Sequence, residues 1–227
     1  GFVINGVSGG DNSGFSVSSA GDVNGDGFDD LIVGANGDDP NGDRSGASFV
    51  VFGKTDGTAV DLSDVEAGTG GFVINGVSTS DYSGYSVSSA GDVNGDGFDD
   101  LTVGAPGSLQ APDSGKSFVV FGKSDRTAVE LSAIEAGNGG FVINGASKGD
   151  LSGLSVSSAG DVNGDGFDDL IVGAPFDDPN GSDSGASFVV FGGDFSGVVT
   201  KIGTVGDDTL TGTDARDVLV AGTGNDT

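Results

Sequence analysis

The sequence predicts an all-β fold of three four-stranded antiparallel sheets that stack like the blades of a propeller, followed by a short Gly- and Asp-rich tail. The hexapeptide Gly-Phe-Val-Ile-Asn-Gly occurs at Gly1–Gly6, Gly71–Gly76 and Gly140–Gly145. Each copy opens a series of short apolar runs separated by Gly, Asn, Asp and Ser, which is typical of short strands joined by turns. We therefore divide the chain into repeats over 1–70, 71–139 and 140–200 and a tail over 201–227.

Each repeat is predicted to contain four strands. In the first repeat these are Phe2–Asn5, Phe15–Ala20, Asp30–Gly34 and Ser48–Phe52. The last two are continuous apolar runs, so both faces of the sheet must be covered, as they are when sheets stack. Because the links between strands are short, we expect antiparallel pairing. The segment Ala59–Ala67 has only a weak apolar face and is expected to be a loop with at most one helical turn.

The composition excludes several classes of function. The chain has 227 residues, of which 46 are Gly, with 35 acidic and 8 basic residues, a net charge of −27, and no His or Cys. It therefore has no Ser-His-Asp triad, thiolate nucleophile, usual zinc site or disulfide. The acidity argues against nucleic acid as a partner, and no apolar run is long enough for membrane insertion. A chain that begins at Gly1 and lacks Met is expected to be a processed or excised piece.

The acidic residues are almost all aspartate, since only Glu66, Glu130 and Glu135 are glutamate. Many lie in the segment Asp-Val-Asn-Gly-Asp-Gly-Phe-Asp-Asp, which begins at Asp22 and recurs at Asp92 and Asp161. Side-chain oxygens fall at positions 1, 3, 5 and 9, and a backbone carbonyl can serve at position 7, which is the spacing that wraps a calcium ion. The predicted ligands of the three Ca²⁺ ions, with each Phe acting through its carbonyl, are Asp22, Asn24, Asp26, Phe28, Asp30, Asp92, Asn94, Asp96, Phe98, Asp100, Asp161, Asn163, Asp165, Phe167 and Asp169.

Two features limit this interpretation. The loop is not an EF-hand, because position 12 is Val33 and strands are predicted on both sides. Asp29 sits at an even position and is expected to point outward. The alternative is a solvated acidic hairpin turn, since Asn-Gly and Asp-Gly are common turn pairs.

The run Phe15-Ser16-Val17, together with the run from Gly21 to Ala35, resembles the FG-GAP repeat of integrin alpha-chain β-propellers and of large bacterial surface proteins. The resemblance covers residues 1 to about 195. It implies one four-stranded blade per repeat, a calcium ion in each hairpin loop, and an outer strand that follows the Phe-Val-Val-Phe strand. By that pattern Gly1–Gly6 has no preceding blade, and the third blade lacks its Phe-Val-Ile strand. The chain departs from the pattern at Asn36, Tyr85 and Leu154, none of which is a predicted ligand.

The tail changes composition after Lys201. The segments Gly203–Thr211, Gly212–Val220 and Ala221–Thr227 align at a period of nine and place Asp208, Asp217 and Asp226 at one position, where they could bind calcium. This is similar to the RTX nonapeptide repeat, although Ala215 stands where that pattern has Gly. The resemblance implies a bacterial protein exported to the outside. A disordered polar tail is the alternative.

These observations favour a non-catalytic, calcium-binding, secreted module for adhesion or interaction at the cell surface, with a protein or glycan ligand. The alternative is a structural subunit of a filament, ring or surface layer, because a donated edge at Gly1–Gly6 and an open edge on the third blade could pair between copies. A secreted hydrolase is a third hypothesis, and it would have to work without His or Cys.

Overall fold

The computed structural model describes residues 1–108 and 114–195, and beyond them the backbone of two short strands. The predicted all-β class is confirmed, since strands dominate the described chain and its two helices have five residues each. The tail positions Asp208, Asp217 and Asp226 lie outside the described residues. The elements in chain order are β1 (Ile4–Asn5), β2 (Ser16–Gly21), β3 (Asp30–Ala35), β4 (Ala47–Val51), β5 (Val60–Asp61), α1 (Leu62–Glu66), β6 (Gly71–Asn75), β7 (Ser86–Gly91), β8 (Asp100–Ala105), β9 (Lys116–Val120), β10 (Val129–Glu130), α2 (Leu131–Glu135), β11 (Gly140–Asn144), β12 (Ser155–Gly160), β13 (Asp169–Ala174), β14 (Ala186–Val190), β15 (Val199–Ile202) and β16 (Val218–Val220).

Three antiparallel sheets form the body of the described chain, and we call each a blade. The first blade has the strand order β2-β3-β4-β6, with the short strand β10 added in parallel beyond β6. The second blade has the order β7-β8-β9-β11. The third blade contains β12, β13 and β14. The sheets do not close into a ring within the described residues.

The outer strand of each complete blade comes from the next repeat. Gly71–Asn75 pairs with β4 of the first blade, and Gly140–Asn144 pairs with β9 of the second. The inner three strands lie within about one residue of their predicted bounds. Each repeat contains its four predicted strands, and within the described residues the third blade has three, as the resemblance implies for a blade without its Phe-Val-Ile strand. The physical reason is that a blade does not contain the first strand of its own repeat.

Apolar residues between neighbouring blades form the core. Ile32 and Val50 of the first blade are fully buried and pack in one cluster with Val87 and Leu101 of the second. A further cluster joins the second blade to Leu170 of the third. In the first two blades the continuous apolar runs are therefore covered on both faces, as predicted, whereas Ile171 and Val189 of the third blade are exposed.

The helices close the outer side of the first two blades. Helix α1 begins after Asp61 and buries Leu62 and Val65, which pack with Phe49 and Val73 on the outer half of the first blade. Helix α2 repeats this arrangement one repeat later. No helix among the described residues combines the length and apolar character needed to cross a membrane.

Candidate metal centres

The three Asp-rich segments are the hairpin loops between the first and second strands of each blade. In the first blade the loop leaves β2 at Gly21, where the strand pairing shifts register, and enters β3 at Asp30. Gly25 and Gly27 have φ values of 74° and 88°, a left-handed conformation that glycine adopts without strain. These two positions coil the chain tightly enough to bring the side chains at positions 1, 3 and 5 into one turn.

Asp22 organises the first loop. One of its carboxylate oxygens, Oδ1, accepts hydrogen bonds from the backbone N–H groups of Gly25 (2.8 Å) and Asp26 (3.0 Å). The other oxygen accepts one from Gly27 N–H at 2.9 Å. A carboxylate surrounded by backbone N–H groups is fixed in direction, so the loop holds its first predicted ligand without help from another element.

Asn24 and Asp26 continue the same pattern further along the loop. Asn24 Oδ1 accepts a hydrogen bond from Asp26 N–H at 2.8 Å, and Asp26 Oδ1 accepts one from Phe28 N–H at 3.0 Å. The loops that begin at Asp92 and Asp161 reproduce these distances within about 0.1 Å. The three loops are therefore three copies of one geometry.

Asp30, the ninth residue of the loop, is fully buried. Its Oδ1 accepts a hydrogen bond from Gly53 N–H (2.8 Å) and its Oδ2 accepts one from Val23 N–H (3.1 Å). The pKa of Asp30 is raised to about 6, mainly by burial and also by the nearby carboxylates of Asp26 and Asp22, which together outweigh the lowering effect of the two hydrogen bonds. At the equivalent Asp100, burial is again the main cause and raises the pKa to about 8. A cation in the loop would favour the charged form and oppose both increases.

The donors of each loop are carboxylate, amide and carbonyl oxygens, a set that suits a hard cation such as Ca²⁺. Within residues 1–108 and 114–195, however, no three acidic side chains form a cluster that already has the spacing of a metal site. The carboxylates at positions 1 and 5 are instead turned toward backbone N–H groups of their own loop. The structure thus brings the predicted residues into one turn, and their role as ligands stays a prediction.

Comparison with known proteins identifies the repeat. The FG-GAP repeat model matches residues 13–51, 83–120 and 152–190, which contain the three loops and the inner three strands of each blade. The chain belongs to the FG-GAP repeat family.

Several curated relatives share these FG-GAP repeats. The chain is 38% identical to integrin alpha-PS2 of Drosophila melanogaster over a match that covers 48% of the chain and 8% of that protein. It is 31% identical to integrin alpha-5 of Xenopus laevis over 71% of the chain and 14% of that protein. It is 32% identical to a phosphatidylinositol-glycan-specific phospholipase D of Bos taurus over 79% of the chain and 20% of that protein. The chain therefore spans only a small part of each relative.

Neighbouring FG-GAP loops are hydrogen-bonded to each other through position 8, the position at which Asp29 of the first loop is exposed, as expected. Asp99, at position 8 of the second loop, accepts a hydrogen bond at Oδ2 from Asp22 N–H of the first loop (2.7 Å) and donates its own N–H to Asp22 O (3.2 Å). Asp168 accepts the equivalent bond from Asp92 N–H at 3.2 Å. The recurrence of Asp at position 8 of every loop was the signal that could have revealed this contact.

The Phe at position 7 joins the same contact between loops. A Cβ atom placed on Gly25 would lie 2.6 Å from Cε1 of Phe98, so the ring of the second loop rests directly on the backbone of the first. Phe167 lies in the same way on Gly95. The side chain and the carbonyl of this Phe thus serve two purposes, because the side chain faces the preceding loop while the carbonyl is the predicted ligand.

We expect Asp99→Ala to lower the free energy of unfolding by about 1.5 kcal/mol, because it removes a charged acceptor from a backbone N–H at the blade interface. Asp29→Ala is the matched control. Asp29 is exposed at the same position of the first loop, which has no preceding loop in the described chain, so its loss should change stability by less than about 0.5 kcal/mol. Urea unfolding of both variants, at concentrations where the chain is monomeric, measures the difference. Equal effects would contradict the role assigned to Asp99.

Proposed function

We propose that this chain is a calcium-binding, non-catalytic module for extracellular adhesion or interaction, built from FG-GAP β-propeller blades. The observation that carries the proposal is the threefold occurrence of one loop geometry with four side-chain oxygen donors at positions 1, 3, 5 and 9. In the first loop Asp22, Asn24, Asp26 and Asp30 would hold the ion, together with the carbonyl of Phe28. The equivalent residues of the second and third loops would hold one ion each.

The charge of the loops favours a cation as their ligand. Asp22, Asp26 and Asp30 place three carboxylates within nine residues, and the chain as a whole carries a net charge of −27. Burial and repulsion from the neighbouring carboxylates raise the pKa of Asp30. Without a cation, the charged form of this carboxylate is therefore disfavoured. A divalent ion relieves both costs, because it is attracted to the carboxylates and replaces the water that they lose.

Calcium titration tests the metal proposal. Isothermal titration calorimetry should give about three bound ions per chain, one for each loop. Asp96→Asn keeps the oxygen that accepts the Phe98 N–H and removes one charge, so it should reduce the number to about two. Asp64→Asn removes the same charge from an exposed position of α1 and should leave three. Loss of a site in both variants, or no binding at all, would overturn the proposal.

The non-catalytic part of the proposal rests on residue types. The chain contains no His and no Cys, and its recurrent Asp pairs lie in loops that we assign to metal. Although one relative is named as a phospholipase D, the chain spans only 20% of that protein. We therefore expect the calcium-loaded chain not to hydrolyse a phosphatidylinositol glycan.

The adhesion part of the proposal has its own test. We expect surfaces coated with this chain to retain cells in the presence of calcium and to release them when calcium is chelated.

A second candidate function is a structural subunit of an extracellular assembly. One observation favours it: among the described residues the third blade has three strands, where the first two blades have four. The outer strand of each complete blade comes from another repeat, so a strand from a second molecule could complete the third in the same way.

A further inference from the structure

We infer that residues 2–15 of a second copy of this chain bind to the third blade, where they add its outer strand and fill a cavity beside it. The inference rests on the second candidate function and specifies the two surfaces that would meet. It does not depend on the adhesion ligand.

The chain shows this contact twice within itself. We call residues 71–85 of the second repeat and 140–154 of the third their leader segments. The leader segment of the second repeat pairs with β4, so that Gly71 lies opposite Val51 and Asn75 lies opposite Ala47. Further along, its Ser83 N–H donates to Ser45 O (3.1 Å), and its Gly84 O accepts a hydrogen bond from Ser16 Oγ (2.8 Å). The leader segment of the third repeat makes the equivalent contacts with the second blade.

The place for such a segment on the third blade is open. Within the described part of the chain no strand pairs with the outer edge of β14. Beside that edge lies a cavity of about 550 Å³, lined by Gly173, Ala174, Gly185 and Ala186 among others. In the first blade the corresponding space holds the leader segment, because a Cβ placed on Gly84 would lie against Ala47 and Ser48.

The residues that form this contact in the first blade recur in the third blade and at the beginning of the chain. Residues 186–192 are identical to residues 47–53, which receive the first leader segment. Residues 1–15 are identical to residues 71–85 at eleven of fifteen positions, including the whole strand and the Ser-Gly pair that enters the cavity. Among the described residues β1 pairs only with β5, so its other edge can meet a new strand. The same backbone contacts can therefore form between two molecules.

Exposed apolar side chains mark the same two ends of the stack. Val17 of the first blade is 67% exposed, whereas Val87, its equivalent in the second, is 7% exposed. At the opposite end Val162 and Val189 are 60% and 46% exposed, although their equivalents in the first blade are fully buried. Docking of the first blade of one copy on the third blade of another would cover both groups, which gives the strand pairing an apolar contribution.

The contact joins different surfaces of the two copies, so it is heterologous and can repeat. Two copies supply six blades, which lies within the range of about 4–8 blades for closed propellers. In a closed dimer, the outer edge of each third blade is paired and the exposed apolar side chains at both ends of each molecule are covered. An assembly that does not close would grow as a filament through the same contact.

Cysteine cross-linking tests the register, because the native chain contains no Cys. In the first blade Ala47 faces Asn75, and the hydrogen bonds Phe52 N–H to Gly70 O and Gly76 N–H to Gly46 O make this a pair without mutual hydrogen bonds, where Cβ atoms come closest. The same register between copies places Asn5 opposite Ala186. Mixing Asn5→Cys with Ala186→Cys under oxidising conditions in calcium should give a disulfide-linked heterodimer. Pairing Asn5→Cys with Ser182→Cys, in an exposed loop, should give none.

Light scattering of the unmodified 227-residue chain measures the assembly itself, and we expect a mass of at least two chains. Gly173→Ala should weaken association about tenfold or more, because its Cβ would meet the incoming carbonyl of Gly14. Gly193→Ala, where an added Cβ meets nothing within 4 Å, should not weaken it. Assembly without the Asn5–Ala186 cross-link would overturn this binding site and leave the structural function standing. A mass of one chain at every concentration would overturn both.

Discussion

Removal of calcium is expected to lower the melting temperature of the chain by roughly 15–30 °C. At a calcium concentration of about 100 times the dissociation constant, each site stabilises the folded state by about 2.7 kcal/mol, so three sites contribute about 8 kcal/mol. A domain of this size loses about 2–4 °C for each kcal/mol. The physical reason is that the loops without metal hold three carboxylates each in a small space, and the loops of neighbouring blades are hydrogen-bonded to one another. Calorimetry with and without excess chelator measures the change.

A charge-removing variant separates calcium binding from general screening. Asp26→Asn, Asp96→Asn and Asp165→Asn combined keep the oxygen that accepts the N–H of each loop Phe. This triple variant should lose most of the calcium-dependent stabilisation. In chelator it should be at least as stable as the native chain, because each loop carries one charge less. Sodium chloride at matched ionic strength is the control for screening. An unchanged melting curve of the native chain in chelator would rule out calcium bracing.

Gly104→Ala is expected to destabilise the fold by about 3 kcal/mol, because the second and third blades approach each other too closely for a methyl group. A Cβ on Gly104 would come closer than 3.0 Å to the backbone oxygen of Gly153 in the next repeat. That oxygen also accepts the hydrogen bond from Ser86 Oγ (2.8 Å), so it cannot move away without breaking an interblade contact. Urea denaturation of the monomeric protein measures the loss.

Gly173→Ala is the matched control for this prediction. It occupies the same strand position in the third blade, but its Cβ would be within 3.0 Å only of Ser155 Oγ, a side chain that can rotate away. At concentrations where the chain is monomeric it should cost less than about 1 kcal/mol. A similar loss in both variants would show that Gly104 acts through its own strand and not through the contact with the third blade.

The inner strands and the loop geometry could be predicted from local sequence, because turn residues and continuous apolar runs determine both. Asp30–Gly34 was predicted as a strand and is observed as Asp30–Ala35. The helical turn near Leu62 was underestimated, since its stability comes from burying Leu62 and Val65 against the outer half of the blade and not from its own propensity. The parallel pairing of β5 with β1 and of β10 with β6 was not predicted, because two-residue strands leave almost no pattern.

Contacts between loops were the part of the candidate site that sequence reasoning missed. Asp99 and Asp22 are 77 residues apart, and only the stacking of blades brings them within hydrogen-bonding distance. Alternation along the loop separates even from odd positions, but it cannot show that a side chain pointing out of one loop contacts the loop of the preceding blade. The same reason explains why Phe98 was predicted as a carbonyl donor while the packing of its ring on Gly25 was not.

The donation of each outer strand to the preceding blade has a consequence for how such a chain can change in length. A duplicated unit of about 70 residues, inserted between two repeats, brings one outer strand for the blade before it and receives one from the repeat that follows. One interface is new, but the strand that it adds has the same five residues, Gly-Phe-Val-Ile-Asn, in Gly71–Asn75 and Gly140–Asn144. Gain or loss of whole units therefore keeps the strand pairing between repeats, and an array of this kind can grow or shrink by whole repeats.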